Sequence, residues 1–561
     1  MVSKNSHHHS ISNLRYFIIS LFLISLSLII LALSFHDPKP TNKYFSTYYF
    51  QRNNNIIQEE DLIPAAKRPE WLKIIEEKLR KEKANKKIKL GLVNLDHHGQ
   101  HDGLRGLAEV ETVPVSQQEG MGGVFPEWID EHNKWGPPRC PDIPLPALGR
   151  YADLDVVVAG DEWVGNHGRV HRMVYVVFVG SCGPMVEIFR CDDLVKHQKG
   201  EYWVYRPEMR RLKQKVLMPV GSCQLAPGYA ETGRERWRLL MPDIKPIKSN
   251  HTTHRPRRRP RYAYATVLHS SEAYVCGAIA LAQSIRRTNS TKDLVLLADT
   301  SSLSAPSLRG LRSAGWTILP IHRIRSPFAA KGAYNEWNYS KLRVFQLTHY
   351  DKIIFIDSDL VVLNNMDRLF IYPPLSAAAN DKFIFNSGVM VIEPSLCLFE
   401  TLMRQSFQLE SYNGGDQGFL NEAFTWWHRL PKRVNYLKIF RSAKYDGDGD
   451  YEEGRLVFEE VDAIHYLGLK PWMCYRDYDC NWDMADHRIY ASDAAHRRWW
   501  EIYDGMPKKL QGYCGLTRKM DARIRKWRGI ARKVNLRGGR WMVRVKDPRQ
   551  YHFVNYSRFL V

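Results

Sequence analysis

The chain has 561 residues, 44% hydrophobic and 25% charged, with a formal net charge of +21. That length exceeds one ordinary domain, and the composition excludes a largely disordered chain. The basic excess points to acidic partners such as nucleotide phosphate, anionic lipid or acidic polysaccharide. Without zinc-finger spacing or an RNA-binding motif, nucleic acid is not an expected partner.

Residues 16–35 carry no charge and are mostly Leu, Ile, Phe and Ser. A run of about 20 such residues crosses a bilayer as a helix and is longer than a signal-peptide core. An uncleaved transmembrane anchor is therefore expected, with residues 1–15 as a cytosolic tail and the rest of the chain in a lumen. A signal peptide ending near Ala32-Leu33-Ser34 is the alternative, and the flanking charges do not set the orientation. Sequons at Asn250, Asn289, Asn338 and Asn555 are compatible with the luminal side. The nine cysteines form no Cys-x-x-Cys motif. In an oxidising compartment Cys140, Cys182, Cys191 and Cys223 are expected to pair among themselves, and so are Cys474, Cys480 and Cys514.

Residues 36–135 read as a polar stem with a charge-rich helix at 70–87. After a proline-punctuated boundary, β-branched runs at 154–159 and 173–179 and a shorter one at 201–205 predict a small β-rich accessory domain over 136–244. Residues 245–261 form a Pro-rich linker crowded with arginine. From 262 strands alternate with helices: strands at 263–268, 294–298, 316–320 and 353–356, helices at 272–287, 307–314 and 339–350. This alternation predicts an α/β domain over 262–514, with a mostly parallel sheet covered by helices on both faces. The first strand-to-helix junction, His269-Ser270-Ser271-Glu272, lacks G-x-G-x-x-G, so a dinucleotide site is not expected. The basic segment 515–561 carries 14 Lys and Arg against two Asp. Its stripe Leu516, Met520, Ile524, Trp527, Ile530 and Val534 fits a terminal helix packed on the catalytic domain or a basic surface for acidic partners.

The chemistry centres on Ile353-Ile354-Phe355-Ile356-Asp357-Ser358-Asp359, a buried-strand pattern followed by two carboxylates two residues apart. Residues i and i+2 of an extended chain point the same way, so the pair can hold one divalent cation at the carboxyl end of a strand. The same tripeptide also suits an acidic turn. Further on, Asn386-Ser387-Gly388 interrupts a strand, and Asp416-Gln417-Gly418 opens a helix, where Asp416 suits either a site or an N-terminal cap. His465 can complete a metal site, or sit in the core, and Lys470 can neutralise phosphate.

Together with residues 264–268, 281–286 and 340–342, and with 465–472 (His-Tyr-Leu-Gly-Leu-Lys-Pro-Trp), these segments resemble glycosyltransferase family eight, the glycogenin-like group. Within it, the anchor, the long luminal extension and the 472–482 tail most resemble the plant xylan glucuronosyltransferases, once called plant glycogenin-like starch initiation proteins. The resemblance implies a GT-A fold with Mn²⁺, or alternatively Mg²⁺, and a UDP-sugar donor. It implies Asp357, Asp359 and His465 as metal ligands, and Leu268 and Tyr274 around the uracil. Lys341 and Lys470, with Ser358 and Gly468 beside them, would meet the diphosphate or donor sugar, and Asn386, Asp416 and Gln417 would face the sugar. No tyrosine is identifiable as a self-glucosylation site. The implied activity is retaining transfer of α-glucuronic acid from UDP-glucuronate to xylan by a Golgi type II membrane protein. Alternatives are a related UDP-hexose or UDP-galacturonate transferase and a non-catalytic carbohydrate-binding protein. A glucuronate carboxylate calls for a cation, and Arg343 is the candidate.

Overall fold

The computed structural model describes residues 69–80, 88–93, 108–113, 156–159, 174–179, 184, 189–198, 201–208, 211–212, 260–270, 272–380, 384–424, 427–439 and 461–554. The tail, the apolar run at 16–35 and nearly all of the basic linker lie outside the described residues. No helix among the described residues is long and apolar enough to cross a membrane.

Six strands form the first sheet: β1 (Ile88–Val93), β2 (Ala108–Val113), β3 (Val156–Ala159), β4 (Tyr175–Val179), β5 (Leu194–Gln198) and β6 (Tyr202–Tyr205), in the order β2-β1-β3-β4-β6-β5. The first four strands in that order run parallel, and β6 runs antiparallel to both of its neighbours, β4 and β5. This corrects the boundary drawn at 136, since two strands of the sheet come from the stretch read as stem. Helix α1 (Glu70–Arg80) lies in that stretch too. Its Trp71, Leu72, Ile75 and Leu79 repeat at helical spacing and pack on Leu90, Leu92, Tyr175, Val177 and Val204 of the sheet.

The second sheet has seven strands: β7 (Tyr262–Leu268), β8 (Asp293–Ala298), β9 (Thr317–Pro320), β10 (Lys352–Ile356), β12 (Ser376–Ala379), β13 (Phe385–Ile392) and β14 (His428–Leu430). The small strand β11 (Leu360–Val362) falls between β10 and β12 in the chain. The spatial order is β14-β12-β13-β10-β7-β8-β9, mixed because β13 runs antiparallel to both neighbours. The central strands are apolar on both faces, as a sheet covered twice requires. Along β10, Ile354 and Ile356 enter one core with α2 (Val275–Arg287) and α3 (Ala305–Ala314). Ile353 and Phe355 enter the opposite core with α4 (Leu396–Gln405) and α5 (Asp416–Ala423). The segment read as a helix over 339–350 is a 3₁₀ helix at Asn338–Gln346. A third sheet, β11-β16-β15, is built from β15 (Tyr436–Leu437) and β16 (Ala463–His465).

Beyond the sheet, α6 (Asp493–Asp504) packs on α2, and α7 (Arg518–Lys533) closes the C-terminal block. Leu516, Met520 and Ile524 of the predicted stripe are buried among Cys474, Tyr475, Tyr478 and Met484, whereas Ile530 and Val534 are exposed. The packed-helix reading therefore holds for the first half of the stripe.

Among the described residues the cysteine pairing differs from expectation, while Cys140, Cys182 and Cys223 lie outside them. Cys474 pairs with Cys480, but Cys514 pairs with Cys276 on α2, and Cys191 pairs with Cys397 on α4. Proximity in the fold, not in sequence, selects partners, and these two bridges span separations of 206 and 238 residues. The Cys191 bridge ties the turn before β5 to α4, beside a buried Glu393 that receives Arg190, Arg211 and Lys352.

Candidate active site

The site forms where β10 ends. Asp357 follows the last strand residue, and its N–H donates to Gly388 O of β13, which holds the chain in register one residue past the strand. A turn then leads into β11, whose Leu360 pairs with His465 of β16. Tyr466 N–H donates to Asp359 O at 3.0 Å. A strand pairing therefore brings the distant histidine beside the Asp-Ser-Asp turn. Gly277 of α2 lets the turn sit close, because a Cβ there would collide with Ser358 O and the Trp472 ring. Ser358 itself is buried.

Asp357, Asp359 and His465 each offer a ligand atom, and these atoms all lie within 4.8 Å of one another. His465 Nε2 is 3.3 Å from Asp359 Oδ1. The opposite ring atom, Nδ1, faces Asn435 Oδ1 at 3.1 Å. Asn435 Nδ2 donates to Asn386 Oδ1 at 2.8 Å, which leaves the Asn435 oxygen as the partner of the imidazole. That network puts the imidazole proton on Nδ1 and leaves the Nε2 lone pair aimed at the carboxylates, the tautomer a metal ligand needs. Asn435 was not singled out in the sequence. It lies next to His465 only because β15 pairs with β16, and no local pattern signals that.

Two lysines divide the carboxylates between them. Lys341 Nζ, buried, lies 3.1 Å from Asp357 Oδ1 and 2.6 Å from Asp416 Oδ2, and donates to Ser387 Oγ at 3.1 Å. Burial opposes its charge, but the two carboxylates outweigh burial and hold its pKa above the ordinary value. Lys470 Nζ lies 2.7 Å from Asp359 Oδ2 and donates to Tyr466 O. Burial would raise the Asp359 carboxyl, but Lys470 and His465 pull it well below its usual range. Asp357 goes the other way: burial raises it, and the neighbouring Asp359 and Asp416 charges add to that against the pull of Lys341. Three carboxylates against two lysines leave an uncompensated negative charge, the condition under which a cation is favoured. The Asp357 and Asp359 side chains are 29% and 13% exposed, so they keep an edge open to solvent.

The other predicted residues fall around this centre. Gly415 is the N-cap of α5, and the Asp416 carboxylate leaves the helix to meet Lys341 and to accept from Ser387 Oγ at 2.8 Å. Gln417 Oε1 accepts from Ser387 N–H at 3.3 Å. Asn386 is buried, and its Oδ1 is engaged by Gly388 N–H and Asn435, so it stands behind His465. Leu268 is buried at the end of β7. Tyr274, which precedes α2, stacks edge-on to Trp472 with centroids 6.1 Å apart. Burial raises its phenol pKa, and the Lys470 and Asp359 charges also act on it. Gly468 adopts φ +73° against Asn481, in a left-handed turn ahead of Lys470.

Arg343 is a correction. In a 3₁₀ helix residues two apart lie on different sides, so when Lys341 enters the site Arg343 turns away. It bonds His322 O and Gln346 Oε1 and lies over the Phe399 ring. His269, whose place no local pattern signals, follows β7, and burial lowers its pKa to about 4, with Asp416 and Lys341 among the charges acting on it. A second cluster, Cys191, Asp192 and Cys397, offers no thiolate, because its sulfurs form a disulfide.

Residues 265–474 match the family model "Glycosyl transferase family 8", and residues 62–160 and 163–223 match "GUX1-5 N-terminal domain". The chain is 44% identical to UDP-glucuronate:xylan alpha-glucuronosyltransferase 2 of Arabidopsis thaliana, over 88% of this chain and 86% of that protein. The protein numbered 5 in the same Arabidopsis thaliana series is 48% identical over 96% of this chain and 98% of its own. Glycogenin-1 of Homo sapiens is 28% identical over 42% of this chain and 70% of that protein.

Proposed function

The chain belongs to glycosyl transferase family 8, among the UDP-glucuronate:xylan alpha-glucuronosyltransferases, and from that premise we propose that it transfers α-glucuronic acid from UDP-glucuronate to xylan, with retention at the anomeric carbon. The observation that carries the reading is the convergence of Asp357, Asp359 and a correctly protonated His465 on one point, flanked by two lysines.

Hard carboxylate oxygens with one imidazole nitrogen suit Mn²⁺ or Mg²⁺, and the surplus negative charge supports the fit. When bound there by Asp357, Asp359 and His465, the cation supplies Lewis-acid stabilisation to the departing diphosphate. Lys470 and Lys341 supply fixed positive charge beside that same leaving group. The sugar becomes oxocarbenium-like as the bond to UDP breaks. Asp416 is tied down by Lys341 and Ser387, which lowers its nucleophilicity. In our reading it positions and stabilises the sugar while the acceptor hydroxyl enters on the leaving-group face. Leu268 and Tyr274 take the uracil, and Gln417 faces the donor sugar, with Ser358 and Gly468 shaping the backbone beside the phosphates.

We also propose a Golgi, type II membrane location with the catalytic domain luminal. The apolar run at 16–35 supports an anchor, and the disulfides support an oxidising compartment. The test of function is incubation with Mn²⁺, xylo-oligosaccharide and a panel of UDP-sugars, read by mass. The expected product gains one glucuronosyl unit, from UDP-glucuronate alone. Transfer from another donor, or none, overturns the reading.

A further inference from the structure

Among the described residues, five Phe, Trp or Tyr side chains are more than a third exposed: Phe328, Tyr334, Phe407, Tyr412 and Tyr551. Three of them lie on two loops, 326–338 and 411–415, that are stitched together. Ser326 Oγ donates to Gly414 O at 2.7 Å, and Asn335 Nδ2 donates to Asn413 O at 2.7 Å. Gly414, at φ +65°, permits the close approach, since a Cβ there would lie 3.0 Å from both Phe328 O and Asn335 Nδ2. Glu336 braces the first loop from inside by accepting from Arg325 Nε at 3.0 Å and Gly332 N–H at 2.8 Å.

The second loop runs straight into the site. Asn413 Oδ1 accepts from Gly415 N–H at 2.9 Å and Gly418 N–H at 3.3 Å, which fixes the start of α5. Gln417 Nε2 donates to the Tyr412 phenol oxygen at 2.7 Å, and Gln417 Oε1 accepts from the N–H of Ser387, whose Oγ donates to Asp416. Tyr412, 55% exposed, and Tyr334, 83% exposed, are thus presented to solvent on braced loops at the rim of the catalytic centre. Exposed apolar surface joined to an active site marks a place where a ligand lies.

We propose that these two loops are the acceptor surface, with Tyr334 and Tyr412 stacking on successive pyranose rings of a neutral, β-linked xylan backbone. The proposal rests on the acceptor class given above. A xylopyranose has no exocyclic hydroxymethyl group, so its ring faces present C–H bonds to the electron-rich face of an aromatic ring, and its equatorial hydroxyls stay in water. The Tyr412–Gln417 bond ties the acceptor rim to a residue beside the donor sugar. Two exposed rings on loops bonded to each other favour a chain over a single sugar.

The test compares initial rates of the full chain and its variants against xylohexaose and xylobiose at saturating UDP-glucuronate and Mn²⁺. Tyr334→Ala and Tyr412→Ala are each expected to raise the KM for xylohexaose about tenfold, with the KM for UDP-glucuronate within twofold of wild type. Tyr412→Phe keeps the ring and is expected to keep the acceptor KM, which separates stacking from the bond to Gln417. Phe407→Ala, an exposed ring off these loops, is the control expected to match wild type. Wild-type transfer with unchanged acceptor KM in both alanine variants overturns this proposal alone, as does an equal rise in donor KM. A drop in sedimentation coefficient without an acceptor effect assigns the rings to self-association and likewise overturns it. Failure of the wild type to glucuronidate xylohexaose overturns the acceptor class, and the proposal with it.

Discussion

Charge is buried differently in two of the described regions of this chain. In the C-terminal block, Lys438 and Asp479 form a pair 2.5 Å apart with both side chains 1% exposed. Asp547 and Arg549 form another, and the Arg549 guanidinium also donates to the carbonyls of Trp472, Cys474 and Cys514. These charges are enclosed, and nothing larger can reach them. At the end of β10, by contrast, each lysine sits against a carboxylate that is partly open to solvent, Lys341 against Asp357 and Lys470 against Asp359. The difference teaches that burial alone does not mark chemistry. A caged pair fixes structure, whereas a cluster with surplus charge and an open side is poised for a ligand.

The sharpest way to break that contrast is to remove one charge from each. Asp359→Asn should lower transfer about a thousandfold, because the cation loses a ligand and the leaving group loses its stabilisation. Its melting temperature should stay close to wild type, since Lys470 keeps its bond to Tyr466 O and the remaining carboxylates of the site lose a repulsive neighbour. A large loss of stability would place the site with the caged pairs.

Asp479→Asn should do the reverse. It strands a buried ammonium and should cost about 3–5 kcal/mol in denaturant unfolding, with turnover per folded molecule little changed. Lys438→Met combined with Asp479→Asn should recover much of that loss.

A third effect lies beside the same pair. His496 is buried, its Nε2 accepts from the Trp500 indole, and burial lowers its pKa to about 4. The unfolded chain binds this proton below roughly 6.5, while the folded chain resists until about 4. Stability is therefore whole above the unfolded value and is lost as pH falls towards the folded one, by roughly 3 kcal/mol in all. Unfolding of wild type and His496→Gln at pH 7 and pH 4.5 checks this, and the variant should show the smaller difference.

The smallest expected effect belongs to Asn435→Ala. It frees the imidazole to adopt the other tautomer and should weaken Mn²⁺ binding about 10–100-fold, read directly by calorimetry. An unchanged affinity would detach Asn435 from the site.

Much of this was legible in the sequence because it is local. The buried run ending in Asp357-Ser358-Asp359 gave a strand and a turn, and β10 ends one residue before Asp357. Lys341, Asp416 and Lys470 do gather around that turn. What stayed hidden depends on pairing between distant segments. Asn435 reaches His465 through β15 and β16, Cys514 finds Cys276 across 238 residues, and two strands of the first sheet come from polar sequence read as stem. Arg343 misled because closeness to Lys341 in sequence does not put two side chains on one side of a 3₁₀ helix, where residues two apart point different ways.

The measurement that bears most directly on the account is transfer from UDP-glucuronate to xylohexaose in excess chelator, followed by return of Mn²⁺. Wild type should lose transfer in chelator and regain it with the ion, and Asp359→Asn should regain almost nothing. Undiminished transfer by wild type with every divalent cation removed would contradict the claim that Asp357, Asp359 and His465 work by holding one.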